Sequence, residues 1–489
     1  MIQSRRSRTA TLLLAIFLTA SFYTAARVGI LGPSYIRSPF PLSSYRHYGP
    51  AADANTTEPE NVVPPTQSQS QDPACAWMPD TSNILVVMKT GASEAFAKVP
   101  TQLMTTLRCV PDYLIFSDMK QTIAGVEIHD SLDTVLEEAR KDNTDFVLYN
   151  YQQACEVDLE NCNKEGGDAA RAGWNLDKYK NIHIAEKTYR LRPNYDWYVF
   201  VDADTYVLWP NLVQWLSKFR ASAKHYFGSM TMISEFPFAH GGSGYVISKA
   251  AMRQFGGRPD ESIANKWDNL IHESCCGDYM FAKAFKEATD VTVKNVWPTI
   301  NGEKPHTLPF GPSHWCQPVV TMHHMNAEEV SSFWEYERDY FKKKPQSLTT
   351  QRTLLLKDIY AHFLAPKMRA SREDWDNLSD DVFYLDRTAK KHEDWVLERT
   401  KKGPMSQVER KAHKSYEDCR AMCESVQDCF QFLYHDGVCA ASVSFKLGRP
   451  NRSEQIPSKR YRSGWIVPKI NKWIERQGEC KRPKWPEVK

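Results

Sequence analysis

DWYVFVDADTYVLWPN, residues 196–211, is the stretch whose reading decides the fold. The apolar and aromatic residues 197–201 run directly into Asp202 and Asp204, with only Ala203 between the two carboxylates. A buried strand does not end in two negative charges unless partners or a ligand meet them there. Three other short apolar runs, residues 83–90 (NILVVMKT), 112–118 (DYLIFSD) and 146–151 (FVLYNY), are predicted strands of the same buried kind. Residues 92–107, 131–141 and 178–191 are helix-like. Strands alternating with helices predict an α/β domain over residues 81–345, a mostly parallel sheet flanked by helices. Such a sheet opens its ligand crevice at the carboxyl ends of its strands, which is where Asp202 and Asp204 lie.

Two aspartates flanking one residue at a strand end can share a hard divalent cation, Mn2+ or Mg2+, which in turn bridges phosphates. A solvated acidic turn is the plain alternative. Residues 314–326 (HWCQPVVTMHHMN) are predicted to form a late strand with His323 and His324 near its end. Alternation puts the two histidines on opposite faces, so at most one is expected to face a metal. Residues 240–255 (HGGSGYVISKAAMRQF) offer Gly241, Gly242 and Gly244 ahead of a helix starting near Ser248. A loop of this kind lets the backbone approach a bulky ligand, or makes an ordinary tight turn. It is not a G-x-G-x-x-G loop, and Tyr245 stands where the nucleophile elbow of a hydrolase needs its last glycine. In residues 272–288 (HESCCGDYMFAKAFKEA), Asp278 opens an amphipathic helix, as a helix-terminal carboxylate or as a general base, with Glu273 the next candidate for that base.

The rest of the chain frames this domain. With 62 Lys and Arg against 59 Asp and Glu and no basic stripe, a nucleic-acid partner is excluded. Residues 1–8, with Arg5, Arg6 and Arg8, read as a cytosolic tail, and the uncharged residues 9–26 as a transmembrane signal anchor that leaves the remainder lumenal. The alternative is a signal peptide cleaved after Ala26 and a secreted protein. Residues 27–80, rich in Pro, Ser, Thr, Gln and Asn, read as a disordered stem. Residues 346–410 are expected to form a charged helical extension or linker, 411–470 a separately folding module with Cys419, Cys423, Cys429 and Cys439, and 471–489 a basic tail. The spacing of those four cysteines suits disulfides better than zinc, and twelve cysteines in all suit an oxidising lumen. Sequons at Asn55, Asn377 and Asn451 permit glycosylation there.

DADTYV, GGSGYVIS, the aspartate of CCGDYMFAKAF and VVTMHHM, in that order within residues 83–338, together resemble glycosyltransferase family 31. This is the Fringe-like group that includes the core 1 β-1,3-galactosyltransferases; the texture is similar to its filamentous-fungal branch, and the cysteine-rich module resembles a PAN/Apple domain. The resemblance implies a GT-A fold, a UDP-sugar donor, Mn2+ or another divalent cation, and inversion at the anomeric carbon. Carried over by position, it makes Asp202, Asp204 and His323 metal ligands, Asp278 the base, and Asp202, Asp204, Thr90 and Gly242 donor contacts. Ala203 and Gly277 depart from acidic residues usual in the family. The implied activity moves a hexose, galactose or an N-acetylhexosamine, to a hydroxyl of a glycan or glycoprotein through a β-1,3 linkage. The implied setting is the Golgi membrane, with the PAN/Apple-like module open to a protein or glycan ligand. A non-catalytic lumenal glycan-binding or chaperone-like protein is the alternative.

Overall fold

The computed structural model describes residues 72–488 except 166, 259–260, 313, 343–351 and 389–391. The cytosolic tail, the anchor, Asn55 and most of the stem lie outside the described residues. Among the described residues no helix is long and apolar enough to cross a membrane.

The motif-bearing half contains β1 (Ile84–Lys89), β2 (Tyr113–Ser117), β3 (Gln121–Ile123), β4 (Val126–Asp130), β5 (Trp197–Asp202) and β6 (Tyr206–Val207). It continues with β7 (Tyr226–Gly228), β8 (Met230–Ile233), β9 (Phe236–Ala239), β10 (Tyr245–Ser248), β11 (Lys294–Asn295) and β12 (Thr321–Met322). Eight of these form one sheet in the order β11-β7-β10-β5-β1-β2-β4-β3. β1 pairs in parallel with both β2 and β5, and β10 joins β5 antiparallel. The sequence dictates this centre. Leu85 and Val87 of β1, with Tyr198 and Phe200 of β5, pack on the face covered by helices Ala169–Leu191 and Gly277–Thr289. Ile84, Val86 and Met88, with Trp197, Val199 and Val201, pack on the other face against Trp209 and Trp215 of helix Trp209–Leu216. Strands buried on both faces need continuous apolar runs, and that is what these are. The chain leaves β1 toward β2 on one side and returns as β5 on the other, so the ends of β1 and β5 form the switch point of the sheet.

Four expectations change. Residues 146–151 are not a strand: a 3-10 turn, Thr144–Phe146, leads into helix Val147–Gln153. Asn143 caps the turn by accepting the Asp145 N–H, and Leu148, Tyr149 and Gln152 face inward while Val147 and Tyr151 are exposed, a helical spacing. Helix over 131–141 is confined to Glu137–Arg140, and the late strand of 314–326 is the two-residue β12. Order also begins inside the expected stem, where Cys75 bonds to Cys109 and Trp77 is buried against Trp334 and Phe341.

β12 pairs antiparallel with β6, Thr321 opposite Val207 and Met322 opposite Tyr206. Beneath this pair the Tyr206 hydroxyl donates to Glu337 Oε2 at 2.5 Å, and Glu337 is fully buried in helix Ala327–Lys342.

The C-terminal part is a five-stranded antiparallel sheet. Its order is β13-β19-β16-β17-β15, from β13 (Ser371–Glu373), β15 (Val382–Leu385), β16 (Gln431–His435), β17 (Val438–Ser442) and β19 (Arg462–Trp465); the short β14 (Trp375–Asp376) and β18 (Arg449–Pro450) pair beside it. Helix Tyr416–Ser425 is held to it by Cys419–Cys439, and Cys423–Cys429 closes the turn after it. β13 and β15 come from the segment read as a helical linker, and helix Val467–Gln477 runs into the segment read as a tail. The sheet also shares a core with the motif-bearing half: Phe310, Trp315 and Trp334 pack with Phe430, Phe445 and Trp473. Phe310 and Phe445 exchange backbone hydrogen bonds, and Cys316 is bonded to Cys480. Asn377 is buried, its amide donating to the carbonyls of Phe432 and Gly464, so this sequon is a core residue rather than a glycan acceptor.

Two outcomes follow from this packing. A chain ended after residue 402 loses Phe430, Phe445, Trp473 and Cys480 from the common core, and is expected to aggregate; soluble, folded protein from that truncation would show that the two parts fold apart. Burial pushes the Glu337 carboxyl up to about 8 despite the bond from Tyr206, so its contribution to stability is complete below about 4.5 and is lost as pH rises toward 8. One such proton gives a slope of up to about 1.4 kcal/mol per pH unit. In denaturant titrations from pH 5 to 8, Glu337→Gln is expected to flatten that slope, and an unchanged slope would assign it to another group.

Candidate active site

The carboxyl end of β1 carries a cation and that of β5 an anion. Lys89 and Asp202 are register partners, with Lys89 Nζ 3.4 Å from Asp202 Oδ1 and 2.5 Å from Asp177 Oδ2 on helix Ala169–Leu191. Burial would lower the Lys89 ammonium, but Asp177 and Asp202 outweigh it and keep the group charged. Burial raises the Asp202 carboxyl, and Lys89 offsets only part of this because Asp177 and Asp204 repel it. Lys180, almost fully buried, donates to the Thr90 carbonyl and lies 3.7 Å from Asp177 and 3.8 Å from Asp118. Thr90 is itself buried, and its carbonyl anchors Lys180.

Asp204 has different neighbours. Its Oδ1 lies 3.1 Å from His323 Nε2 and its Oδ2 3.2 Å from Lys98 Nζ. Burial would raise this carboxyl, but His323 and Lys98 prevail and hold it well below the usual carboxylate range. β12 ends at Met322, and His324 sits at φ 60°, in the left-handed region. That reversal overturns the expectation from strand alternation: the two imidazoles lie on the same side, ring centroids 3.8 Å apart. Asp204, His323 and His324 bring one ligand atom each to within 4.8 Å of one another. His323 Nδ1 is buried with no hydrogen-bond partner. One carboxylate with two imidazoles fits a first-row divalent metal better than Mg2+, which asks for oxygen alone. Asp202 stands outside this group, held by Lys89.

The glycine loop joins these residues to Asp278. A Cβ on Gly242 would lie 2.1 Å from His323 Cε1, so only glycine leaves room for that ring. The next glycine back, Gly241, donates its N–H to Asp278 Oδ2 at 2.8 Å. Gly244 makes the turn at φ 80°. Asp278 occupies the second position of helix Gly277–Thr289. Gly277 has no space for an acid, because its Cβ would meet the Lys178 carbonyl at 2.7 Å. Ahead of it Cys275 and Cys276 are bonded to each other.

Lys89, Asp177, Asp202, Gly241, Gly242, Asp278, His323 and His324 all line one cavity of about 660 Å³, the volume of a small-molecule site. A larger cavity, about 1000 Å³, opens in the C-terminal sheet, away from the strand ends where the titratable groups converge. Sequence reading missed Lys89, Asp177, Lys98 and the turn of His324. Only Lys89 carried a signal, as the lone cation ending the apolar run of β1. Residues 141–284 match the family model described as Fringe-like, a stretch that holds the D-x-D, the glycine loop and Asp278.

Gly242→Ala is expected to displace His323 and abolish binding of added Mn2+ while circular dichroism stays native. Gly241→Ala, whose Cβ would sit 3.3 Å from Asp278 Cβ, is expected to keep Mn2+ binding. Undiminished Mn2+ affinity in Gly242→Ala would remove His323 from the donor set.

Proposed function

On the premise that this chain carries a Fringe-like glycosyltransferase domain, we propose that it moves a hexose from a UDP-sugar to a hydroxyl of a glycan or glycoprotein, with inversion. The observation that carries this reading is the pair of adjacent glycines. Gly242 seats a histidine of the donor set and Gly241 seats Asp278, so the two groups are fixed relative to each other on one cavity. Mn2+ or a similar cation held by Asp204, His323 and His324 supplies positive charge for the diphosphate of the departing nucleotide. Lys89, charged and lining the same cavity, offsets part of the negative charge of Asp177 and Asp202 there. Asp202, tethered to Lys89, lines the same cavity beside the group of Asp204, His323 and His324.

In the transfer, the acceptor oxygen forms a bond to the anomeric carbon as the bond from that carbon to the phosphate oxygen breaks. UDP departs with the electron pair, and the acceptor proton passes to Asp278. The Gly241 N–H aims the Asp278 carboxylate before the acceptor arrives, so no reorganisation is needed at the moment of reaction. Six disulfides, which join all twelve cysteines, suit the lumen of the secretory pathway, and a type II anchor at residues 9–26 in the Golgi fits a nucleotide-sugar donor.

Two carboxylates are given separate work, and two substitutions separate them. Asp204→Ala is expected to lose Mn2+-dependent UDP binding and transfer together. Asp278→Asn is expected to bind UDP with Mn2+ normally and to transfer about 10²- to 10⁴-fold more slowly, the usual cost of a lost general base. Calorimetric titration beside a transfer assay reads both. Near wild-type transfer by Asp278→Asn would pass the base to another residue such as Glu273, and Mn2+-dependent UDP binding by Asp204→Ala would place the metal elsewhere.

A further inference from the structure

Five of the six disulfides close loops in the chain, joining cysteines from 6 to 164 residues apart, and a bond of that kind stabilises a fold by restricting the unfolded chain. Cys275 and Cys276 are neighbours, so the bond between them closes no loop and has little of that effect. What sets the pair apart is its place. Both cysteines line the cavity that holds Asp278, and Cys275 is exposed while the cysteines of the other five bonds are buried or half-buried. Cys276 is half-buried and caps helix Gly277–Thr289; its carbonyl accepts the Met280 N–H at 3.2 Å, closing the turn on which Asp278 sits. Lys178 secures both flanks of the segment: its Nζ donates to the His272 carbonyl, and Gly277 packs on its backbone. The bonded pair therefore lies in a short stretch fixed at either end, with its outer residue open to solvent.

We propose that Cys275–Cys276 is a thiol–disulfide exchange site, opened by a dithiol reductant, whose state sets the aim of Asp278. Exposed disulfides are the ones that exchange, and exposure selects Cys275 Sγ as the sulfur attacked. A thiolate of the reductant bonds to it, and the electron pair of the Cys275–Cys276 bond leaves on Cys276 Sγ, at a helix N-terminus, where a thiolate is stabilised. The second thiol of the reductant then displaces Cys275. Two electrons and two protons have passed to the pair, which ends as two thiols, and the reductant ends as a disulfide. Once the sulfurs part, Cys276 is no longer tied to its neighbour, and the first turn of the helix loosens around Asp278. His323 is seated by Gly242 rather than by this segment, so the group of Asp204, His323 and His324 keeps its place. The effect on Asp278 rests on the transfer reading above; the exchange itself does not.

The test uses the full chain, dithiothreitol as the dithiol, iodoacetamide as the label, and hydrolysis of a panel of UDP-hexoses by water with Mn2+, a rate that needs no acceptor. Peptides mapped by mass spectrometry without reduction should show Cys275 and Cys276 joined to each other. Stepwise addition of dithiothreitol to the native protein should open these two to iodoacetamide before any other cysteine. In protein opened but not labelled, hydrolysis is expected to fall about tenfold or more, within the ~10²-fold that misplacing a catalytic group by an ångström brings, with Mn2+ affinity unchanged. Reoxidation with oxidised glutathione should restore it. The double variant Cys275→Ser, Cys276→Ser is expected to be slow from the outset and to ignore dithiothreitol, with native circular dichroism. A bond from either cysteine to another, a different disulfide opening first, a rate unmoved by opening, or a double variant as fast as the oxidised protein would each overturn the proposal. Absence of hydrolysis by the oxidised protein counts against the transfer reading, and the order of labelling then decides the exchange site alone.

Discussion

The imidazole of His323 rests on the bare backbone of Gly242, and much of the site depends on that contact. Thr205, between Asp204 and β6, donates to the Gly242 carbonyl, and Thr321 of β12 donates to the Ser243 carbonyl, each at 2.7 Å. The D-x-D turn, the glycine loop and the histidine strand are thus drawn together by short buried bonds, each worth about 1 kcal/mol net. Such bonds tolerate small adjustments. A methyl group 2.1 Å from a ring carbon does not, so steric exclusion rather than hydrogen bonding sets the spacing of the site.

The two aspartates of the D-x-D differ through their cations. Asp202 faces Lys89 across the register of β1 and β5, and Asp204 faces His323 and Lys98. Lys89 is shared between Asp202 and Asp177, the latter about a third exposed, so Asp202 is tied to the helix that covers the sheet as well as to the cavity.

The sheet centre was legible because it obeys one rule. Runs such as ILVVMK and WYVFVD can only be buried on both faces, and the switch point follows from their order. FVLYNY has a similar composition and folds as a helix, since Asn143 and the exposure of Val147 and Tyr151 decide the matter outside the run itself. At the site, Asp204, His323 and Asp278 were legible from their motifs. His324 was misplaced because alternation holds only while the backbone stays extended, and its φ of 60° ends that. Lys89 and Asp177 meet across 88 residues, which no local pattern reports. The glycine loop was read as making room for a ligand, whereas the nearest thing it admits is the protein's own imidazole.

The bridge from Cys316 to Cys480 spans 164 residues and closes beside the strand that supplies the histidines. A ribosome delivers residue 316 well before residue 480, so the segment leading to His323 waits with Trp315 and Phe310 uncovered until the far end of the chain emerges. Completion of the cavity that His323 lines is in this way postponed until after most of translation. The site is therefore among the last parts of the fold to be completed.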